Sequence, residues 1–205
     1  MAQTWRETEK ARTRQRYLDA AAELFARRGF HAVSIDELGA AAGVSGPALY
    51  RHFAGKEAVL AEILVGVSER LLTGLRETLA LNAPPRETLA LLIRFHLDFA
   101  MSERDVIRLQ DRELANLPAD ANHTVRALQR RYLEGWIDVL DRVDPAAPAP
   151  PRARQRIRML AVFGILNSTA HSSTRDRAAD VRRVLGDAAA MVLLGTPLEG
   201  GVPRA

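Results

Sequence analysis

The sequence predicts an all-α fold, an N-terminal unit of three helices followed by a larger helical body. Three observations carry that prediction. Ala, Leu, Arg and Glu dominate while Val, Ile, Thr and aromatics are sparse, which favours helix over strand by intrinsic propensity. Apolar residues recur at spacings of three and four along most of the chain, with no strand signal and no internal repeat. Turn formers gather in one short stretch, GVSGPALYRHFAG at residues 43–55, between two runs of helical period. With 205 residues, 47% hydrophobic and 26% charged, the chain has material for one sizeable core or two small ones.

The first helix runs from about Thr8 to Arg28 on Tyr17, Leu18, Ala21, Leu24 and Phe25. It stops at Gly29, which tolerates the left-handed conformation of a helix end. Ser34 and Glu37 make a capping box for a short second helix, roughly Ile35 to Ala42, with Ile35, Leu38 and Ala42 inward. Gly43 ends it and Val44 plugs the turn. Ser45 then caps a third helix of about two turns, in which Pro47 sits where a missing N–H costs nothing. After Gly55 one amphipathic helix extends from Lys56 to about Leu81. Beyond Pro84 and Pro85, a helix carries Leu89 to Ala100, a shorter one spans Val106 to Leu114, and another runs from about Asp120 to Val143. The four prolines of DPAAPAPP, residues 144–151, forbid a helix and make a stiff loop. Helices from Arg152 to about Ser172 and Asp180 to about Leu194 complete the pattern, with a frayed tail from Gly195 on. This reading divides the chain into residues 1–56 and 57–205.

Two short helices joined by a tight turn form a helix-turn-helix, whose second helix enters the major groove of DNA. A plain helical hairpin gives the same pattern, and the outward residues tip the balance. No acid occurs between Glu37 and Glu57, and the expected outer face is Gly46, Pro47, Ala48, Tyr50, Arg51 and His52. Arg51 suits a guanine edge, which a guanidinium binds through two hydrogen bonds. Ser34, Ser45, Tyr50, His52 and Lys56 suit phosphate oxygens, which position a protein without reading sequence. Lys56 also opens a helix, where free N–H groups and the dipole favour an anion. Residues 1–56 carry nine Lys/Arg against six Asp/Glu, and residues 57–205 carry twenty against nineteen. Most of the net charge of +4 therefore lies at the N-terminal end, as expected for a polyanion partner there. Arg6, Lys10, Arg12 and Arg14, ahead of the apolar run, read equally as nonspecific DNA contacts or as a solvated tail.

Residues 23–64, ELFARRGFHAVSIDELGAAAGVSGPALYRHFAGKEAVLAEIL, resemble the DNA-binding region of TetR-family transcriptional repressors. The pattern runs from Phe25 and Gly29-Phe30 through Gly43-Val44-Ser45 to Lys56-Glu57. The resemblance implies a homodimer of all-helical subunits, each with three N-terminal helices for double-stranded operator DNA and a larger domain for a small effector that releases it. It places Ser34, Ser45, Tyr50, His52 and Lys56 where relatives contact phosphates, and Ala48 and Arg51 where they touch bases. Gly46 departs from the Lys, Arg or Thr common there, which shifts readout toward Pro47, Ala48 and Arg51. In the family's arrangement the last two helices pair with their copies across a two-fold axis, here through Ala161, Gly164, Ile165, Ser168, Ala188, Met191 and Val192.

An effector pocket is expected among Phe95, His96, Phe99, Leu109, Gln110, Tyr132, Trp136, Phe163 and Asn167, with core packing as the alternative for each. His96, Gln110 and Asn167 are polar residues on apolar faces, and buried polar groups need partners. The segments QDRELANLP, RYLEGWIDVL and FGILNSTAHS, residues 110–118, 131–140 and 163–172, resemble actinobacterial family members linked to fatty-acid or acyl-CoA metabolism. That resemblance implies an acyl-CoA or other lipophilic effector. A drug controlling an efflux gene, or no effector at all, are the alternatives.

Other function classes lack their signatures. The chain has no cysteine, which removes thiolate catalysis and Cys-ligated zinc and suits a reducing cytoplasm. There is no Gly-rich phosphate loop and no Gly-x-Ser-x-Gly or His-Glu-x-x-His element, and the five histidines show no metal-ligand spacing. The reading is therefore a non-enzyme without cofactor or metal. The longest apolar run, Met159 to Leu166, is far short of a membrane span, and the N-terminus is charged where a signal peptide is apolar.

Overall fold

Every regular element placed in the computed structural model, which describes residues 3–44, 49–146, 150–171 and 177–195, is helical. In chain order these are α1 Gln3–Arg28, α2 Ile35–Ala41, α3 Lys56–Ala80, α4 Pro85–Ser102, α5 Arg104–Glu113, a 3-10 turn Leu114–Asn116, α6 Ala119–Asp141, α7 Arg152–His171 and α8 Ala178–Leu194. One bound differs instructively from the sequence reading. α1 begins at Gln3 rather than near Thr8, because Arg, Glu, Lys and Ala propagate a helix without an apolar face. The basic stretch ahead of the apolar run is thus helix. α3 ends where Asn82 takes the left-handed conformation at φ 52°, two residues before Pro84. The expected frayed tail from residue 196 on, and the cap and start of the expected third helix at residues 45–48, lie outside the described residues.

The chain divides into two compact units that interleave along the sequence. The first is Met1–Val67 with Asp105–Val125, and the second is Ser68–Arg104 with Arg126–Ala205. The sequence reading places one boundary at residue 56, whereas in this division α3 up to Val67, α5 from Asp105, the 3-10 turn and α6 up to Val125 join the N-terminal helices.

The first unit buries Tyr17, Phe25, Leu38, Leu49, Leu60 and Leu109 to 5% exposure or less. α1 stops at Gly29, φ +83°, whose N–H still reaches Phe25 O at 2.8 Å. The chain then leaves the helix, and its polar groups need new partners. The α5 segment supplies them. Arg112 Nη1 donates to Ala26 O at 3.3 Å, and the buried Glu113 accepts from Phe30 N at 3.2 Å. Asn116 Nδ2 donates to the other Glu113 oxygen at 2.6 Å, while Asn116 Oδ1 meets His31 Nε2 at 3.2 Å.

The second unit encloses Leu89, Leu92, Ile93, Leu97, Trp136 and Leu166, all with no exposed surface. Two helical glycines let neighbours approach closely. A Cβ on Gly74 would lie 2.0 Å from Phe95 Cζ, and one on Gly135 would lie 2.4 Å from Leu75 Cδ2. No helix among the described residues is long and apolar enough to cross a membrane.

Candidate nucleic-acid interface and effector cluster

The helix-turn-helix is assembled from caps. Ser34 takes both halves of the capping box. Its hydroxyl accepts from Glu37 N at 3.3 Å, and Glu37 Oε2 accepts from Ser34 N at 2.8 Å. That backbone N–H, followed by the Arg28 guanidinium at 2.6 Å and the Ser34 hydroxyl, holds the Glu37 carboxyl down to about 2. Gly43, φ +74°, ends α2, and Val44 N returns to Gly39 O at 2.8 Å, a left-handed helix end of the glycine kind. Leu49 is buried, and its carbonyl accepts from His52 N at 2.9 Å and Phe53 N at 3.0 Å.

That anchorage leaves Tyr50 56% exposed and Arg51 exposed beside it. His52 is half-buried. Its ring stands edge-on to Tyr17 at 5.1 Å, and its Nδ1 is enclosed without a hydrogen-bond partner among the described residues. Of the other residues expected at DNA, Ser45, Pro47 and Ala48 lie outside the described residues, as does Gly46.

Two expected phosphate ligands have other work in the structure. Lys56 Nζ donates to Phe30 O at 3.2 Å and Val33 O at 3.1 Å, approaches His31 O at 3.5 Å, and sits 4.7 Å from the Phe30 ring centroid. An ammonium has three N–H donors, so the carbonyls of the α1–α2 turn take them all. An anion at this helix start would meet backbone N–H groups instead. Ser34 likewise gives its single proton to Glu37 Oε2 at 2.8 Å. The sequence could not separate these roles, because phosphate and carbonyl oxygens call for the same donors.

In the second unit, five expected pocket residues adjoin. His96 Nδ1 lies 3.0 Å from the Tyr132 hydroxyl, and His96 Nε2 lies 3.0 Å from Asn167 Oδ1. Burial, partly offset by the Asn167 bond, lowers the imidazole pKa to about 4, so the ring is neutral near pH 7. A neutral imidazole has one N–H. Asn167 Oδ1 accepts only, so with the amide in this orientation Nε2 carries the proton and Nδ1 accepts from Tyr132. Phe163 stacks on His96 at 5.1 Å and 15° and on Tyr132 at 5.6 Å and 21°, and Trp136 stands edge-on to all three rings. Burial pushes the Tyr132 phenol up, and the Trp136 indole weakly opposes this. The Trp136 N–H itself makes no hydrogen bond of good geometry among the described residues.

Phe99 reaches His96 at 6.4 Å, whereas Phe95 packs over Gly74. Gln110 belongs to the first unit on α5, and none of these hydrogen bonds or ring contacts involves it.

Comparison with known proteins identifies the family of both parts of the chain. Residues 18–63 match the family described as bacterial regulatory proteins, tetR family, and residues 82–171 match the tetracyclin repressor-like C-terminal domain. The chain belongs to the TetR family. It is similar to the transcriptional repressor KstR2 of Rhodococcus jostii, 32% identical over 64% of this chain and 65% of that one. It thus spans slightly less than two thirds of that relative's length. Among solved structures, a TetR-family regulator from Bordetella parapertussis superposes with a TM-score of 0.79 at 25% identity, covering 88% of this chain and 94% of that one. AibR in complex with isovaleryl coenzyme A and operator DNA shares the fold, with a TM-score of 0.74 at 17% identity over 91% of this chain and all of AibR.

In this TetR-family chain the residues expected to pair two copies divide by exposure. Ala161, Gly164, Ser168 and Met191 are exposed, and Ile165, Ala188 and Val192 are half-buried. The sequence reading missed Ile157 at 69%, Leu160 at 61% and Val184 at 54%, which extend the same apolar faces of α7 and α8. Their signal was present, since each falls three or four residues from an expected one.

Proposed function

We propose that this protein is a dimeric, DNA-binding transcriptional repressor that a small-molecule effector releases from a palindromic operator in the cytoplasm. The observation that carries the reading is the acid-free segment from Leu49 to Phe53, pinned by its buried ends with Tyr50 and Arg51 left exposed. Arg51 reads a guanine edge, and Tyr50 and His52 position the segment on phosphates. Ser45 contacts a phosphate and Pro47 and Ala48 contact bases, as the family resemblance implies. The exposed Ile157, Leu160, Val184 and Met191 form the surface for the second copy, because apolar side chains grouped on two adjacent helices favour burial. A two-fold dimer places two reading segments on the half-sites of a palindrome.

The effector binds at His96, Phe163 and Asn167, with Phe99 and Trp136 beside His96 and Phe95 on the same helix, and is an acyl-CoA or other lipophilic metabolite. Support comes from the uncharged cluster in which Asn167 and Tyr132 flank the neutral His96 and Phe163 stacks on it. The fold shared with AibR holds an acyl-coenzyme A and an operator in that protein. A second reading, in which the body only dimerises, is favoured by the closure of Trp136 and Ile137 to all exposure. Footprinting on DNA flanking the protein's own gene, with and without acyl-CoAs and drugs, separates the two. Protection relieved by one compound supports effector control, protection relieved by none supports the second reading, and no protection removes DNA binding altogether.

A further inference from the structure

We propose that Arg14 and Glu62 are positioning residues that set the base preference of the reading segment without touching DNA. The proposal rests on the DNA-binding reading above. The segment's C-terminal end is held by one guanidinium. Arg14 Nε and Nη2 grip both oxygens of Glu62 on α3 at 2.6 and 2.5 Å, a two-point bond that fixes the plane of the fork. Arg14 Nη1 donates to His52 O at 2.8 Å, and the guanidinium lies 4.2 Å from the Phe53 ring centroid. Tyr17, one turn along α1, meets His52 and Phe53 edge-on at 5.1 and 6.5 Å. One side chain on α1 therefore ties α3 to the His52 carbonyl and the Phe53 ring, directly after Arg51. Both members are only about one third exposed, at 34% and 35%.

The consequence for DNA follows from the tolerance of each contact. A base-edge hydrogen bond from Arg51 is lost over a few tenths of an ångström or some tens of degrees, whereas attraction to phosphates is long-ranged and tolerant. Loosening the clamp hence lowers affinity for the preferred sequence more than affinity for any sequence. Lysine in place of Arg14 keeps the charge but has no planar fork, so it cannot hold Glu62, the His52 carbonyl and the Phe53 face together.

The test uses the full-length protein, a duplex selected by the wild type from a random library, and a random-sequence duplex of equal length. Arg14→Lys is expected to weaken binding of the selected duplex by about tenfold, to change random-duplex affinity less than about twofold, and to leave the salt dependence unchanged. Glu62→Gln removes an acid, so electrostatics alone would raise affinity for both duplexes. The clamp predicts that preference for the selected duplex falls even as random binding rises. An equal fall in affinity for both duplexes on Arg14→Lys would make Arg14 a sequence-independent DNA contact and overturn the proposal. So would an unchanged preference in a folded Arg14→Lys or Glu62→Gln protein, whatever happens to its melting temperature. If the wild type selects no duplex, the DNA-binding reading itself has failed, which is a different result.

Discussion

Replacing His96 with Gln removes a titration that the structure ties to stability. The imidazole is buried among Tyr132, Asn167, Phe163 and Trp136, none of which is charged, and its pKa falls from 6.5 to about 4 because burial disfavours the cation. A group whose protonated form is disfavoured in the folded state binds its proton more readily when unfolded. Stability is therefore full above the unfolded value, declines as pH falls below it, and levels off once pH passes the folded value near 4. Between pH 7 and pH 5 the loss from this one group is about 2 kcal/mol, approaching about 3 kcal/mol at the plateau. Urea unfolding of the wild type and His96→Gln at both pH values and equal protein concentration isolates it, since acids elsewhere contribute equally to both. The wild type should lose about 2 kcal/mol more than the variant on acidification. Equal losses would refute the assignment of a buried neutral imidazole and, with it, the proton placement on Nε2.

Three further substitutions probe other parts of the molecule. Gly74→Ala sets a Cβ into the Phe95 ring and should cost about 1–3 kcal/mol despite the better helix propensity of Ala, while Gly135→Ala displaces only the flexible end of Leu75 and should cost less, both measured by chemical denaturation. Arg51→Ala should cost about 1–3 kcal/mol of affinity for the selected duplex and relax its base preference, with an unchanged melting temperature. Lys56→Ala should lower stability by about 1–3 kcal/mol, because three carbonyls of the α1–α2 turn lose their donor. Its salt slope for DNA binding should stay that of the wild type, and a drop of about one unit would return Lys56 to the phosphate backbone.

The sequence stated the elements well because their signals are local. Gly29, the Ser34–Glu37 box, Gly43 and Pro84–Pro85 each act within a few residues, and each marks a helix end in the structure. Partnership was less legible. Periodicity shows that α5 has an apolar face on Val106, Ile107 and Leu109, but says nothing of what that face meets. Glu113, in a stretch of polar appearance, gave no hint of being a buried acceptor for an amide 83 residues away. The same holds for Arg14 and Lys56, whose charge suggested DNA while their geometry lies inside the protein. In the candidate effector cluster, helical spacing singled out His96, Trp136, Phe163 and Asn167, which do adjoin. Gln110 shared their character but not their unit.

The buried bond between Glu113 and Phe30 has a consequence for the order in which the protein is made. A ribosome delivers Phe30 long before Glu113, at roughly 5–20 residues per second. During that interval the turn after α1 has neither the carboxylate that receives the Phe30 amide nor the guanidinium that reaches Ala26 O. The N-terminal unit thus completes its hydrogen bonding only after α5 and the 3-10 turn have emerged. A nascent chain stalled or truncated after α3 would carry the reading segment on an unfinished support.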